Sequence, residues 1–275
     1  MIKTNDLNYG YYKYMPVLKK ISLNLPEGHI YGLLGKNGVG KSTLLKVLSG
    51  ALLGEGEISV GGFDPRERKG EMQEQIRLVP ENEALYENTI DEIAAITAPL
   101  YPTFNQELLD SALNEFEVPR DKKLTKMSLG QQKKALISLS LACNTPYLFM
   151  DEPTNGMDIP SKSSFRRIVA SSIADNSTVL ISTHQIDDLE GLIDYVVILE
   201  NDGVLLSASL QEIGQKLCFG IAEPEDEVLY SEKTLRGSWS VMINKTGEEM
   251  PVDIKLLFSA VVKNPASFKN IFKTN

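Results

Sequence analysis

The chain has 275 residues, enough for one large domain or two small ones, and 28 basic against 37 acidic residues give a formal net charge of −9. An acidic chain lacks the basic surface that neutralises phosphates, so we expect no nucleic-acid partner. A hydrophobic content of 42% is typical of a packed, globular protein and excludes general disorder. The sequence contains no apolar run long enough to span a bilayer and no basic start followed by an apolar stretch, so we expect neither a membrane span nor a secretory signal. Cys143 and Cys218, both in apolar surroundings, predict reduced core thiols.

Short apolar runs alternate with helical patterns along most of the chain, which predicts an α/β fold with a largely parallel sheet. A helix is predicted from Lys41 to Leu48, with Gly50 just past its end. Asn201-Asp202-Gly203 is typical of a hairpin turn. The predicted strands are residues 29–34, 57–60, 76–79, 147–150, 178–182 and 195–200.

Residues 84–143 have the pattern of three helices, which predicts a helical subdomain inserted into the α/β core. After residue 215 we expect a small appendage (216–275), with strands near 227–230 and 239–243 and a helix near 253–262. Its chemistry is uninformative, and its role stays open. The helical faces predicted to be apolar are Ile90, Ile93, Ala94 and Thr97 in one helix, and Leu108, Ala112, Leu113 and Phe116 in the next.

A Gly-rich segment, Gly35 to Ser42, fits the pattern G-x-x-x-x-G-K-S, after a predicted strand and at the start of a predicted helix. Glycines let the backbone wrap an anion, with amide groups and the helix N-terminus facing its phosphates. Lys41 would reach the β- and γ-phosphates, Ser42 would bind Mg²⁺ and Thr43 would reach the α-phosphate. A Gly-rich turn that only joins strand to helix is the alternative, which the order of elements disfavours. The predicted contacts to a nucleoside triphosphate are Gly35, Asn37, Gly38, Gly40, Lys41, Ser42 and Thr43.

The apolar run Tyr147 to Met150 ends abruptly in Asp151 and Glu152. The carboxyl end of a buried parallel strand is where ligands bind in such sheets. We expect Asp151 to hold Mg²⁺ through water and Glu152 to accept a proton from an attacking water or to orient it. The alternative is an acidic pair that only forms a turn after the strand.

Ser128 and Gln131 form an S-x-x-Q capping box, which predicts that a helix starts there. Its exposed amides and the Ser128 hydroxyl could also bind an anion. Lys41 already marks a phosphate site, so a second one on the same chain needs an explanation. From the cap alone, two interpretations remain open: the segment is only a well-capped helix, or it contacts the nucleotide held by another copy.

The order of these motifs resembles the ATP-binding subunits of ABC transporters over about residues 1–210. The resemblance implies a P-loop NTPase with a RecA-like core and an inserted helical subdomain; we also expect an antiparallel β part near the N-terminus and a small C-terminal α+β appendage. It implies that ATP and Mg²⁺ bind, and that two subunits hold two ATP molecules head-to-tail. Ser128, Gly130 and Gln131 would then contact the nucleotide of the partner subunit.

The same resemblance makes His184, after the strand 178–182, a switch residue that contacts the γ-phosphate. Without this resemblance, a lone histidine after a strand is more often a structural residue. Asp158 matches the loop that couples the two active sites across the dimer. His29 has no such setting and is interpreted as a turn residue. Adenine would stack on one of several tyrosines near the N-terminus, of which Tyr11 is favoured and Tyr12 is the second choice.

Two positions depart from the family pattern. Glu81 stands where glutamine is usual; it could still bind Mg²⁺, but it adds negative charge, which leaves its effect on turnover open. Leu129 stands where the signature usually has glycine, so its side chain must point away from the partner's nucleotide.

Three features resemble the branch of the ABC family that serves antibiotic, peptide or polysaccharide exporters. They are the Pro80-Glu81 step, Leu85-Tyr86 and the short appendage. We therefore expect an ATPase subunit on the cytoplasmic face of the membrane, energising a separate permease, as a homodimer or with a related subunit. A nucleotide-gated regulatory module with poor hydrolysis remains an alternative. A non-transporter ABC ATPase is disfavoured because no sustained heptads occur between Lys41 and Asp151, and a simple P-loop kinase has no use for the signature helix.

Overall fold

The computed structural model describes residues 1–12, 14–82, 87–173, 176–201, 203–234 and 237–272. A six-stranded sheet forms its centre, with five parallel strands and one antiparallel edge strand. Numbered along the chain, its strands are β3 (Ile30–Leu34), β5 (Ile76–Val79), β6 (Tyr147–Asp151), β7 (Thr178–Thr183), β8 (Tyr195–Glu200) and β9 (Gly203–Ser209). They lie in the order β5-β6-β7-β3-β8-β9, so β6 and β7 are central neighbours and are buried throughout.

Alternation along each central strand divides the core into two apolar layers. Leu148 and Met150 on β6 join one cluster, whereas Tyr147 and Phe149 join the other, because successive side chains of a strand point to opposite faces. A strand buried on both faces is a nearly continuous apolar run, which explains why short apolar runs predicted these strands well.

An antiparallel sheet near the N-terminus covers one of these layers, as expected. Its order is β2-β1-β4, and it shares a core with helix α1, which follows the Gly-rich loop. These elements are β1 (Ile2–Tyr12), β2 (Met15–Leu25), β4 (Glu55–Val60) and α1 (Lys41–Leu48).

The three helices predicted between residues 84 and 143 are present. They are α3 (Ile90–Thr97), α4 (Gln106–Glu115) and α5 (Leu129–Ala142), and their predicted apolar faces are buried or half-buried. The other helices of the domain are α2 (Gly70–Gln73), α6 (Ile159–Ser172) and α7 (Leu210–Lys216). Leu85 and Tyr86, which the exporter resemblance used, lie outside the described residues, as does Asp202 of the predicted hairpin turn. β8 and β9 nevertheless pair as an antiparallel hairpin.

The appendage contains the predicted strands and helix, and two elements that the sequence did not predict, β10 and α9. Its elements are β10 (Leu217–Gly220), β11 (Val228–Thr234), β12 (Gly237–Ile243), α8 (Ile254–Lys263) and α9 (Pro265–Phe272), with the strand order β10-β12-β11. Leu257 and Phe268 belong to the same apolar cluster as Leu206 and Ile213 of the preceding elements. The proposed boundary at residue 215 therefore crosses a continuous core.

Both cysteines are free thiols, as predicted, but only Cys143 is fully buried; Cys218 is half-buried. Burial raises the pKa of the Cys143 thiol to about 11. His29 lies just before β3, where its Nδ1 is 2.6 Å from Asp194 Oδ2. Within the described ranges, no helix is both long and apolar enough to cross a bilayer.

Because the core is shared, we predict that the appendage unfolds together with the rest of the chain. The single tryptophan, Trp239, lies in β12, so its fluorescence reports on the appendage, whereas far-ultraviolet circular dichroism reports on all elements. Urea titrations followed by the two signals should coincide. Phe268→Ala, at a fully buried position, should lower the free energy of unfolding by about 3–5 kcal/mol in both signals.

Ile221→Ala is the matched control, since Ile221 is largely exposed, and it should leave both transitions in place. An earlier fluorescence transition, separate from the loss of helical signal, would mean that the appendage is an independent unit.

Candidate functional site

The loop from Gly35 to Ser42 joins β3 to α1 and uses glycine for two different reasons. A Cβ on Gly35 would lie 2.5 Å from the carbonyl oxygen of Leu199, so the backbone passes too close for a side chain. Gly40 has φ +104°, a left-handed conformation that favours glycine. Gly40 is also the N-cap of α1 and supplies no side-chain cap. The first amides of α1 are therefore available to an anion.

The Lys41 ammonium lies at the centre of this loop and is 6% exposed. It donates to the carbonyl oxygens of Gly35 (2.8 Å) and Lys36 (3.2 Å), and it lies 3.8 Å from Glu152 Oε1. Burial lowers the pKa of Lys41, an effect that the neighbouring carboxylates, Glu152 foremost, oppose. The loop thus holds a desolvated cation where the phosphates of a nucleotide would bind.

A cleft of about 560 Å³ opens in front of Lys41 and brings together residues from distant parts of the sequence. Most of its lining was predicted from motifs, whereas Val17 and Asn155 were not. Ser128, Gly130, Gln131 and Asp158 do not line it. The lining residues are Tyr11, Val17, Asn37, Gly38, Gly40, Lys41, Ser42, Thr43, Glu81, Glu152, Asn155 and His184.

Among the N-terminal tyrosines, Tyr11 is the one that lines this cleft. Its hydroxyl lies 3.3 Å from Thr43 Oγ1, and the Tyr9 ring packs edge-on against it at 5.2 Å between centroids. Tyr12 is largely exposed and lies outside the lining. Of the two tyrosines predicted to stack on adenine, Tyr11 therefore lies at the cleft and Tyr12 does not.

The acidic pair at the end of β6 has two different settings. Asp151 is buried and accepts a hydrogen bond of 2.5 Å from the Ser182 hydroxyl on the neighbouring strand β7. Glu152 follows with φ +45°, a left-handed conformation that costs a non-glycine residue about 1–3 kcal/mol. Such strain persists where the surrounding structure holds it, and it clusters at functional sites.

Glu152 and His184 form a direct pair. His184 Nδ1 lies 2.9 Å from Glu152 Oε1, and the Thr183 hydroxyl donates to Glu152 Oε2 at 3.4 Å. Lys133 donates to the backbone carbonyl of Glu152 at 3.2 Å. The predicted base and the predicted switch residue therefore contact each other at the edge of the cleft. Ser182 and Thr183 were missed from the sequence, although their place at the end of β7, beside β6, could have indicated them.

The residues proposed for Mg²⁺ fit a metal that is bound together with a nucleotide. Among the described residues, no group of three or more histidines, cysteines or acids could hold a metal alone. Mg²⁺ commonly takes one or two carboxylates and completes its shell with phosphates and water. Glu81 and Ser42 line the nucleotide cleft, and Asp151 lines the adjoining cavity that Glu81 also lines. Glu81 is oriented by Asn155, whose side chain donates to Glu81 Oε1 at 3.2 Å.

The capping box at the start of α5 is present as predicted. The Gln131 amide donates to Ser128 Oγ (3.3 Å) and the Ser128 amide donates to Gln131 Oε1 (3.2 Å). Ser128 is exposed and Leu129 is 74% exposed. Asp158 is also exposed and caps α6 by accepting from the Ser161 backbone amide. Hydrogen bonds from Ser161, from its side chain foremost and then from its backbone amide, lower the pKa of the Asp158 carboxyl. These residues form a second group on the surface, separate from the cleft of Lys41.

The site combines a Gly-rich loop, the uncapped start of the helix behind it, and acids at the carboxyl ends of parallel strands. This combination defines a P-loop nucleoside triphosphatase. The family model described as "ABC transporter" matches residues 18–155. The chain therefore belongs to the ABC transporter family, as an ATP-binding and ATP-hydrolysing subunit.

Relatives of known name and a solved structure agree with this assignment. The lantibiotic transport ATP-binding protein SrtF of Streptococcus pyogenes is 30% identical over 210 residues, which cover 75% of this chain and 90% of that protein. The bacitracin transport ATP-binding protein BcrA of Bacillus licheniformis is 33% identical over 211 residues, 75% of this chain and 68% of that protein. A solved ATP-binding subunit of an ABC transporter superposes with a TM-score of 0.69 at 26% identity, covering 78% of this chain and 91% of that one.

Glu81→Gln should raise the affinity for ATP in the absence of Mg²⁺, because it removes a negative charge from a cleft that must accept a polyanion. We expect an increase of about three- to tenfold in EDTA, and a smaller gain in affinity when Mg²⁺ is added. Nucleotide binding measured by calorimetry with and without Mg²⁺ checks both. Glu107→Gln removes an equal charge from the exposed surface of α4 and is the control. Equal affinities of wild type and Glu81→Gln in EDTA would contradict the prediction.

Proposed function

We propose that this chain hydrolyses ATP between two subunits and thereby energises a separate membrane permease, with Lys41, Glu152 and His184 as its catalytic residues. The observation that supports this most is the single cleft in which the Lys41 ammonium lies 3.8 Å from Glu152, and Glu152 lies 2.9 Å from His184. A cation for the phosphates and a carboxylate base are thus within reach of one substrate.

In this mechanism the loop amides and Lys41 bind the β- and γ-phosphates and neutralise the charge that develops on the transferring phosphoryl group. Glu152 accepts the proton of the attacking water, and its oxygen Oε1 is held by His184. The imidazole of His184 is partly exposed toward the cleft edge and would also contact the γ-phosphate. Mg²⁺, when bound with the nucleotide through Ser42, Glu81 and Asp151, supplies further positive charge to the phosphates.

The nucleotide-facing surface is incomplete in one chain, and this supports a dimer. Ser128, Gly130 and Gln131 were expected to contact a nucleotide, yet they do not line the cleft of their own chain. Ser128 and Leu129 are exposed at the start of α5, with space around Gly130, where a Cβ would meet only the Gly156 carbonyl at 3.7 Å. A second subunit, turned head-to-tail, would cover this surface and bury its nucleotide against it. The partner is a second copy or a related ATP-binding subunit.

Membership of the family supports a proposal for the membrane partner and the cellular location. Relatives named for lantibiotic and bacitracin transport support an exporter of peptide antibiotics as the class of system that this subunit serves. In such a system the subunit would bind a permease at the cytoplasmic face of the membrane.

Glu152→Gln should retain ATP binding but lose hydrolysis by about 100-fold or more, because glutamine cannot accept the proton of the attacking water. Phosphate release and nucleotide binding are measured on the same preparation, and the variant with ATP should elute as a dimer in size-exclusion chromatography. Glu200→Gln is the control, since Glu200 pairs with Lys36 of the loop at 3.5 Å but does not line the cleft. Normal turnover by Glu152→Gln would exclude Glu152 as the base.

Mixing two inactive variants tests the shared site. Lys41→Ala removes the phosphate cation and Ser128→Arg blocks the surface offered to the partner, so each variant alone should be inactive. Random pairing makes half of the dimers mixed, each with one complete site, and the mixture should recover about a quarter of wild-type activity. Specific activity of the wild type should also rise with protein concentration. No recovery on mixing, with flat specific activity, would exclude the shared site.

A further inference from the structure

A second charged pair lies behind the catalytic residues and plays no part in the mechanism above. Asp188 is 5% exposed, and its Oδ2 accepts a hydrogen bond from the Thr154 hydroxyl at 2.6 Å. The same oxygen lies 2.8 Å from the Lys162 ammonium. Lys162 also donates to Gln185 Oε1 at 2.7 Å. The buried carboxylate is thus bound through Oδ2 by a hydroxyl and a cation.

These partners come from the three segments that carry the site. Thr154 follows Glu152 by two positions, and Lys162 lies in the first turns of α6, whose N-cap is Asp158. Gln185 comes directly after His184, and Asp188 lies in the short helical turn Ile186–Leu189. Lys162 therefore ties the segment of the switch histidine to the helix that begins at the proposed dimer surface.

The cost of separating Asp188 from Lys162 favours joint movement of α6 and residues 185–188. A buried carboxylate that loses its cation is strongly destabilising, so residues 185–188 must follow any shift of α6 that moves Lys162. The His184 side chain is 37% exposed, and among the described residues the hydrogen-bonding partner of its ring is Glu152. The position of that ring depends on how firmly the following residues are anchored.

We infer that Lys162 and Asp188 are positioning residues for His184, which transmit movement of the Asp158 loop to the switch histidine of the same chain. The inference rests on the proposed dimer, in which a partner subunit contacts the exposed Asp158 loop. Neither Lys162 nor Asp188 lines the nucleotide cleft, so they act on the substrate through the residues that they position.

The kinetic test compares Lys162→Met, Lys162→Arg and the double variant Lys162→Met/Asp188→Asn. Loss of the Lys162–Asp188 ion pair in Lys162→Met should lower kcat about ten- to a hundredfold. The KM for ATP should change little, because neither residue lines the cleft that binds ATP. Lys162→Arg keeps the cation and should retain most of kcat. The double variant leaves no unpaired buried charge, so it should regain thermal stability while kcat stays low. If kcat recovers together with stability, or if KM rises in parallel, the pair is only structural and the inference is wrong.

A spectroscopic test does not depend on activity. The chain has two histidines, so side-chain NMR of histidine-labelled protein gives one signal for His184 and one for His29, assigned with His184→Gln. Lys162→Met should shift or broaden the His184 signal and leave that of His29 unchanged. An unchanged His184 signal would overturn the inference.

The adjacent pair Lys255–Asp187 is a matched control, because it joins the same turn to α8 at 2.5 Å but is more than half exposed. Lys255→Met should leave kcat and the His184 signal unchanged; if it changes either as Lys162→Met does, the effect is not specific to Asp188 and the inference fails. A wild-type protein without any ATPase activity would instead contradict the proposed function. If the wild type is active but Lys162→Met changes neither kcat nor the His184 signal, only this inference is contradicted.

Discussion

The site depends on one buried cation, the Lys41 ammonium, and on the acids placed around it. Taking an ammonium out of water is costly unless opposite charges and hydrogen-bond acceptors replace the lost hydration. Here the acceptors are two carbonyls of its own loop, and the nearest carboxylate is Glu152, which follows a strand more than a hundred residues away in sequence. The interaction therefore joins the phosphate loop to the proposed catalytic base, and both stay in place because each compensates the charge of the other.

The sequence predicts the local features of the fold and of the site better than the long-range ones. The Gly-rich loop, the Ser128 capping box and the fully apolar strands are determined within a few residues, and the structure contains all three. Thr154, Lys162 and Asp188 carried no local signal, because their contacts require β6, α6 and the turn after β7 to be folded together. Asn155 and Lys133 were missed for the same reason: their partners, Glu81 and the Glu152 carbonyl, lie on other elements.

The appendage illustrates the same limit and adds a physical connection to the site. Its helix α9 is short and begins at Pro265, and its strand β10 has only four residues, so neither produced a periodic pattern. In the folded chain, α8 nevertheless reaches the back of the phosphate loop: Phe258 shares a cavity of about 240 Å³ with Gly35 and His184. The appendage thus lines a cavity together with residues of the proposed nucleotide site, and it shares a continuous core with the domain.

Glu81 changes the charge balance of the cleft, and Lys133 shows how the fold tolerates that change. Glu81, Asp151 and Lys133 line one cavity of about 260 Å³ behind the nucleotide cleft. Burial lowers the pKa of Lys133, but the carboxylates around it, led by Glu81, act against that effect. An amide at position 81 would leave this lysine with less compensation for its lost hydration, whereas the carboxylate supplies it. The acid that departs from the family pattern and the half-buried lysine on α5 are thus explained together, as charges that offset each other's partial loss of hydration.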